Sequence, residues 1–567
     1  MTPGFAGPEA PDAGRGASAR GERCTVTGAD TLLARALTTA LGADRAPGDL
    51  RDQDVAARAV EGVDTLFHLA PLWPDLSSGT LDHELLDHAS RGTYVLLTAA
   101  VRAGVRRVVL ASTLDLFEAY PEEWWVSEAW QPRPTSDTGQ IAAHLAECSA
   151  REISRVEPLH VICLRLGHVV DGVSTAGRVY DPRWLHVEDA VQAFRRAVKF
   201  DLSSPQFATT GPALHGWWVF HIPGGGAHTR LPLAHARQPR FGYAPLHTFA
   251  ESGEAPAGTA LGGALTAAAA GRPGAAAVAD RLPGGSRATH TQRSAQRPIR
   301  NVVVFGAGGP LASATASILA ARYALRLTDL RALREIAADP RANMPGRPSP
   351  PLLGPPHELR EVDVSDPEQV LAACEGMDAI VNCSVVRPHP VGAFRVNTVG
   401  AYNIARAAVA HGIRRVVQTG PQQVTLDRPG GYWWDFGVPD DAPARPGSLL
   451  YSHSKYLGQE VLRIFAEQHD LEIPVLLFSR FVDPAVNRSN IDGMFPMTVS
   501  WNDAGHAIRC ALEAPLPHPF EVFHILADLP HGKYSNEKAR RLLGWQPQDT
   551  LQHLWGRRHT LEEEGSR

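Results

Sequence analysis

Tyr451 and Lys455 stand four residues apart in Tyr451-Ser-His-Ser-Lys455, at the head of an amphipathic stretch that runs to about Gln468. On a helix, positions i and i+4 share one face. An ammonium beside a phenol lowers the phenol's pKa, so such a pair can take or give a proton at a carbinol or carbonyl. The chain holds only four lysines (Lys199, Lys455, Lys533 and Lys538), so the spacing is not a product of abundance.

A second group of residues has the form of a phosphate cradle. The apolar run Val302-Val-Val-Phe305 leads directly into Gly306-Ala-Gly-Gly309-Pro-Leu311-Ala312 and then a helical stretch. Glycines let the backbone turn tightly and approach a pyrophosphate, whose charge is favoured by free N–H groups at a helix N-terminus. Pro310 offers no N–H, so Leu311 becomes the next donor. Asp329 follows Gly306 by 23 residues, at the end of the next apolar run. A carboxylate there accepts hydrogen bonds from the adenosine ribose and repels a 2′-phosphate. The expected cofactor is therefore NAD, with NADP not excluded because Arg331 lies two residues on.

These groups need elements to hold them, and the 567-residue chain is too long for one core. It reads as one unit written twice. Val105-Arg-Arg-Val-Val109 repeats as Ile413-Arg-Arg-Val-Val417, and Gly92 and Gly400 each precede these runs at the same distance. Asp49-Leu-Arg-Asp52 matches Asp363-Val-Ser-Asp366. Trp124-Trp125 matches Trp433-Trp434, and Asp189 matches Asp503. Within each copy short apolar runs alternate with amphipathic helices, which predicts two tandem α/β Rossmann domains with doubly wound parallel sheets. The expected layout is a disordered tail (1–21), a degenerate Rossmann domain (22–251), an Ala/Gly/Pro-rich linker (252–298), a dinucleotide-binding Rossmann domain (299–560) and a short tail (561–567).

Net charge is −5, with no basic stripe, so a nucleic-acid partner is not expected. No apolar run reaches the roughly 18 residues of a membrane span, and the N-terminus lacks a signal-peptide core, so a cytoplasmic protein is expected. Six cysteines form no Cys-x-x-Cys pair and read as buried thiols; no metal site is expected.

Both halves resemble the extended short-chain dehydrogenases/reductases, the NAD-dependent epimerase/dehydratase family, over about 22–250 and 299–559. The resemblance implies that Tyr451 and Lys455 are catalytic and that Lys455 also holds the nicotinamide ribose. It places Asp363 and Val364 near the adenine and makes Asn397, in Asn397-Thr-Val-Gly400-Ala-Tyr-Asn403, the helix-motif asparagine. The stretch Ser535 to Pro547 looks most like the uronate-dehydrogenase-like branch, which oxidises sugar acids. One departure stands out. The family's Ser or Thr falls on Pro421, preceded by Gly420, leaving Thr419, Gln422 or Gln423 to substitute.

The first copy is worn in the complementary way. Ser112-Thr113 keeps the hydroxyl position, but the tyrosine and lysine positions read as Thr138 and Ala142, and the asparagine position as Ala89. Its glycine turn is Gly28-Ala-Asp-Thr31, where Asp30 would oppose a pyrophosphate, and the second strand with its acid reads as mostly deleted. The family commonly dimerises through the helices that carry these motifs, so an intramolecular pseudo-dimer with a non-catalytic first copy is expected. The function implied is an NAD(P)-dependent oxidoreductase or epimerase acting on a sugar-like or other hydroxyl/carbonyl small molecule, with Trp433 and Trp434 available to stack on a sugar. The alternative is a catalytically weak or inactive dinucleotide-binding scaffold.

Overall fold

The computed structural model describes residues 22–249 and 298–555, apart from 29, 47, 70–80, 176–177, 204–215, 226–229, 341–343, 426–435 and 488–494. The expected tails, nearly all of the expected linker, and Trp433-Trp434 lie outside the described residues.

Two parallel sheets form the two halves. In the first, β1 (Cys24–Thr27), β2 (Asp44–Arg45), β3 (Thr65–His68), β4 (Arg107–Thr113) and β5 (His160–Leu166) join β8 (Trp217–Ile222) in the order β2-β1-β3-β4-β5-β8. Two short strands, β6 (His168–Val170) and β7 (Trp184–His186), pair beside it. In the second half, β9 (Asn301–Phe305), β10 (Ala324–Asp329), β11 (Glu358–Glu361), β12 (Ala379–Asn382), β13 (Arg415–Pro421) and β14 (Ile473–Phe478) pair with β17 (Phe520–His524) in the order β11-β10-β9-β12-β13-β14-β17. There β15 (Arg480–Val482) and β16 (Thr498–Ser500) make the accessory pair. Strands such as Ile473–Phe478 are buried along their whole length, as β-branched and leucine-rich runs covered by helices on both faces must be. The chain crosses from one side of each sheet to the other at β1/β3 and at β9/β12, and the C-terminal strand ends at such a switch are where open α/β sheets bind ligands.

The repeat extends to devices that no residue pattern announces. Each copy has a π-helical turn, His88–Gly92 and Arg395–Val399, feeding a helix that ends in a left-handed glycine (Gly104, φ 74°; Gly412, φ 66°). The Asp189 carboxylate accepts the backbone N–H groups of Leu246 and His247, and the Asp503 carboxylate accepts those of Gln548 and Asp549. Each copy thus ties its C-terminal segment to a buried helix start.

The first copy agrees with expectation in one place and differs in two. Of its second strand, read as mostly deleted, two residues remain, Asp44–Arg45, paired with β1, and the counterpart of β11 is also missing among the described residues. Asp30 is engaged by the Arg45 and Arg35 guanidiniums, so it stands as half of an ion pair and not as a bare charge. The helices Thr138–Val156 and Leu450–Gln468 are both 19 residues long and run into matching turns (Leu159 N–H to Glu157 O, Leu471 N–H to His469 O). This register sets Gly139 opposite Tyr451 and Ala143 opposite Lys455, one residue beyond Thr138 and Ala142. Neither register supplies a phenol or an ammonium.

These two long helices lie against each other, and one apolar cluster contains Ile141, Leu145 and Cys148 from the first together with Leu457, Val461 and Leu462 from the second. Polar contacts flank it: His453 Nε2 to Ser149 Oγ at 3.0 Å, Tyr402 OH to Thr138 Oγ1 at 3.0 Å, Arg406 to Asp82 at 3.1 Å, and the Tyr94 hydroxyl donating to Ser448 O at 2.7 Å. Among the described residues, no helix is long and apolar enough to cross a membrane.

Candidate active site

The glycine turn is built as its residues demand. Gly306 has φ 76°, and a Cβ there would stand 2.7 Å from the Ser384 backbone, so the end of β9 and the end of β12 meet at a distance only glycine permits. A Cβ on Gly308 would meet Ile336 at 2.5 Å and the Asp329 carboxylate at 2.9 Å. Gly309 is the N-cap of the helix Pro310–Leu319, with ordinary extended backbone (φ −75°, ψ 149°) and Pro310 at the first helical position. Leu311 follows in the first turn, where N–H groups have no partner within the helix. Asp329 ends β10 and accepts the Gly308 N–H at 2.9 Å, which fixes its carboxylate beside the turn.

Asp363 accepts the N–H and hydroxyl of Ser365, both at 2.8 Å, so one oxygen is committed locally. Val364 is buried under the next helix, with its carbonyl accepting from Asn403 Nδ2 at 3.0 Å and its side chain 3.1 Å from where a Cβ on Gly400 would stand. Asn397 lies in the π-helical turn. Its amide donates to Val386 O (2.8 Å) and Ser454 Oγ (2.9 Å) and accepts from the Val386 N–H (3.2 Å), pinning the loop after β12 to the helix that carries Lys455. That helix approaches so closely that a Cβ on Gly458 would stand 2.0 Å from the Asn397 carbonyl oxygen. Gly458→Ala is therefore expected to force the two elements apart and destabilise the fold by about 1–3 kcal/mol, read as a lower denaturant midpoint in chemical unfolding.

Tyr451 and Lys455 occupy one face of the helix Leu450–Gln468, as their spacing requires. Lys455 is buried, and its ammonium donates to Ser384 O at 2.8 Å, at the sheet's switch point. Burial lowers its pKa to about 8, with Arg387 adding to the fall. The ammonium is thus held at the turn, and the cation that acts on the phenol is a different one. The Arg387 guanidinium lies 4.9 Å from the Tyr451 ring centroid. Burial raises the Tyr451 pKa, and Arg387 opposes that rise. Arg387 is an exposed residue of the loop after β12; an arginine among Val-Arg-Pro-His carries no sequence signal for this role.

At the end of β13 the hydroxyl position is Pro421, paired in register with Phe478. Thr419 is buried and donates its hydroxyl proton to Asn382 O at 2.9 Å, inside the sheet. The Gln422 amide donates to the Tyr534 hydroxyl at 2.9 Å. Gln423 differs: its Oε1 is buried without a hydrogen-bond partner among the described residues. In the first copy Thr113, which matches Pro421, caps a turn by accepting the Asp115 N–H, and Ser112 donates to the Glu147 carboxylate. Trp124 packs against Tyr120 and Trp130, and Trp125 is exposed.

The chain belongs to the NAD dependent epimerase/dehydratase family, whose profile matches residues 18–172 and again 302–506. Among curated proteins it is 26% identical over 260 residues to the NAD-dependent glucose-6-phosphate dehydrogenase of Haloferax volcanii, covering 44% of this chain and 93% of that one. It is 27% identical over 227 residues to the uronate dehydrogenase of Pseudomonas syringae pv. tomato, covering 39% and 72% respectively. Among solved structures, the uronate dehydrogenase from Agrobacterium tumefaciens is 27% identical, covers 44% of this chain and 85% of its own, and superposes with a TM-score of 0.35.

Proposed function

We propose that residues 299–560 form an NAD-dependent oxidoreductase acting on a hydroxyl or carbonyl group of a sugar-like small molecule, and that residues 22–251 form its non-catalytic partner in an intramolecular pseudo-dimer. The observation that carries this reading is the position of Lys455. It reaches from the Tyr451 helix to Ser384 O, at the switch point where the Ser384 backbone lies too close to Gly306 for a side chain there.

The residues present fit a dinucleotide. The helix N-terminus at Gly309, with Leu311 as donor, would hold the pyrophosphate; Asp329, fixed beside the turn, would take the adenosine ribose hydroxyls; Asp363 and Val364 would border the adenine. Asp329 favours NAD, and Arg331, within 4.0 Å of Glu335, is not committed to a 2′-phosphate. When bound, the nicotinamide accepts or supplies the hydride. The chain's own task is the proton. Tyr451 takes it from, or gives it to, the substrate oxygen; Arg387 favours the phenolate; Lys455 orients the ribose; Asn397 is a positioning residue that fixes the loop holding Arg387. Gln423 orients the substrate in place of the absent Ser or Thr, since Thr419 is engaged within the sheet. The relatives named as sugar and uronate dehydrogenases make aldoses and sugar acids the first substrates to try.

Arg387→Ala is expected to raise the phenol's apparent pKa, because a lowering influence is removed. In the oxidative direction, which needs the phenolate, the rising limb of the pH–rate profile should move to higher pH. An unmoved limb would detach Arg387 from the chemistry. A second reading, a dinucleotide-binding scaffold without turnover, is favoured by Pro421, which cannot donate. A screen of sugar acids and aldoses followed by NADH formation separates the two: saturable turnover supports the enzyme, and cofactor binding without turnover of any candidate supports the scaffold.

A further inference from the structure

The packed helices bring together three side chains that the dehydrogenase reading does not use. His144 and Cys148, one turn apart on the first copy's long helix, face Glu460 on the second copy's. His144 Nε2 lies 3.0 Å from Glu460 Oε2 and 3.6 Å from Cys148 Sγ, and the three ligand atoms all fall within 4.8 Å of one another. His144 is 4% exposed and Cys148 1%. The Tyr456 hydroxyl lies 3.5 Å from the sulfur and itself accepts from Arg151.

We infer that His144, Cys148 and Glu460 form a transition-metal site, best matched to zinc, that staples the two halves of the chain together. One thiolate, one imidazole and one carboxylate are zinc's usual ligand types, and ordinary zinc–ligand lengths give tetrahedral edges of about 3.6 Å from sulfur to nitrogen and about 3.4 Å from nitrogen to oxygen. The first matches the structure, and the second needs the histidine and carboxylate to open by a few tenths of an ångström. The fourth vertex falls to water or to the Tyr456 phenol. Arg463 already donates to Glu460 Oε2 at 2.8 Å and orients the carboxylate, as outer partners of metal ligands do. Its charge is offset by Glu460 and Glu467, and that of Arg151 by Glu152. The ion enters as two protons leave, one from the thiol and one from the His144–Glu460 pair, so the net charge of the cluster is unchanged. This inference rests on the contact between the halves and not on the proposed activity.

The test uses the full chain, stripped with a chelator and titrated with cobalt(II), then zinc. The expected result is one tetrahedral cobalt per chain with a sulfur-to-cobalt charge-transfer band, displaced by zinc, and a zinc-dependent rise in thermal stability. Cys148→Ser should abolish the band. Glu460→Gln, which leaves both first-copy ligands in place, should weaken zinc at least tenfold and remove the stabilisation, and it serves if Cys148→Ser fails to fold. A second cluster, His186, Glu188 and His247, has no sulfur. Cobalt binding without the sulfur band, or a band that persists in Cys148→Ser, would overturn the inference, as would no binding at all.

Discussion

Tyr451→Phe is expected to cut kcat by about 10²- to 10⁴-fold, the ordinary contribution of a positioned acid/base, while NADH affinity stays within about twofold. The geometry separates the two effects. The phenol's hydroxyl is the only atom removed, and the ring still packs beneath Arg387. The cofactor's proposed contacts come from Gly309, Leu311, Asp329 and Lys455, and Lys455 is anchored to Ser384 O rather than to the phenol. Lys455→Met should behave differently, because it removes the ammonium at the switch point: KM for the cofactor should rise together with a fall in kcat. Steady-state kinetics with fluorescence titration distinguishes the two patterns. A Tyr451→Phe protein with full kcat would remove the phenol from the chemistry.

The second large effect lies in the first copy. Glu147 and Arg165 form a two-pronged ion pair, at 2.9 and 2.8 Å, in the interior, each 4% exposed, with Ser112 donating to the same carboxylate. Burial alone would raise the Glu147 pKa; Arg165 and Ser112 outweigh it and hold the carboxyl below its ordinary value. The carboxylate's contribution is therefore present at neutral pH and is lost as pH falls through and below the usual glutamate range. Glu147→Ala leaves the Arg165 charge buried without its partner and is expected to cost about 3–5 kcal/mol. In the second copy the same two places are Gln459 and Leu477. The double change Glu147→Gln with Arg165→Leu should recover most of the loss, since removing both charges also removes their desolvation. Denaturant unfolding of the full chain measures both, and a single mutant within about 1 kcal/mol of the parent would show that the pair is solvated. In the first copy, Ser112, next to the retained Thr113, is thus bonded into this charge pair.

Much of this was legible in the residues. The parallel sheets followed from short apolar runs between amphipathic helices, and the turn at Gly306 from strand, glycines and Asp329 in sequence. Tyr451 and Lys455 stood out because one helical turn separates them. What escaped was long-range or lacked an anchor. Lys455 bonds to a backbone carbonyl 71 positions away, which no spacing encodes. Arg387 reaches the phenol from a loop whose Val386 backbone is bonded by Asn397. The one-residue register shift that put Thr138 for Gly139 arose because the first copy's helix has neither Tyr nor Lys to align on. His144 and Cys148 are a plain i, i+4 pair until Glu460, 316 residues beyond His144, joins them.

On the proposed reading, the second half holds a dinucleotide at the N-terminus of the helix beginning at Pro310. Gly309→Asp puts a charge at that position. The backbone at Gly309 suits an aspartate, the nearest atom to its Cβ is 3.3 Å away, and aspartate is a favourable N-cap, so the fold should be unharmed. Its carboxylate would stand where the pyrophosphate must lie. The measurement is NADH titration by fluorescence on both proteins: saturable binding in the parent, lost in Gly309→Asp at unchanged thermal stability, is the expected result. Equal binding by both proteins, or none by the parent, would rule out a dinucleotide at this helix.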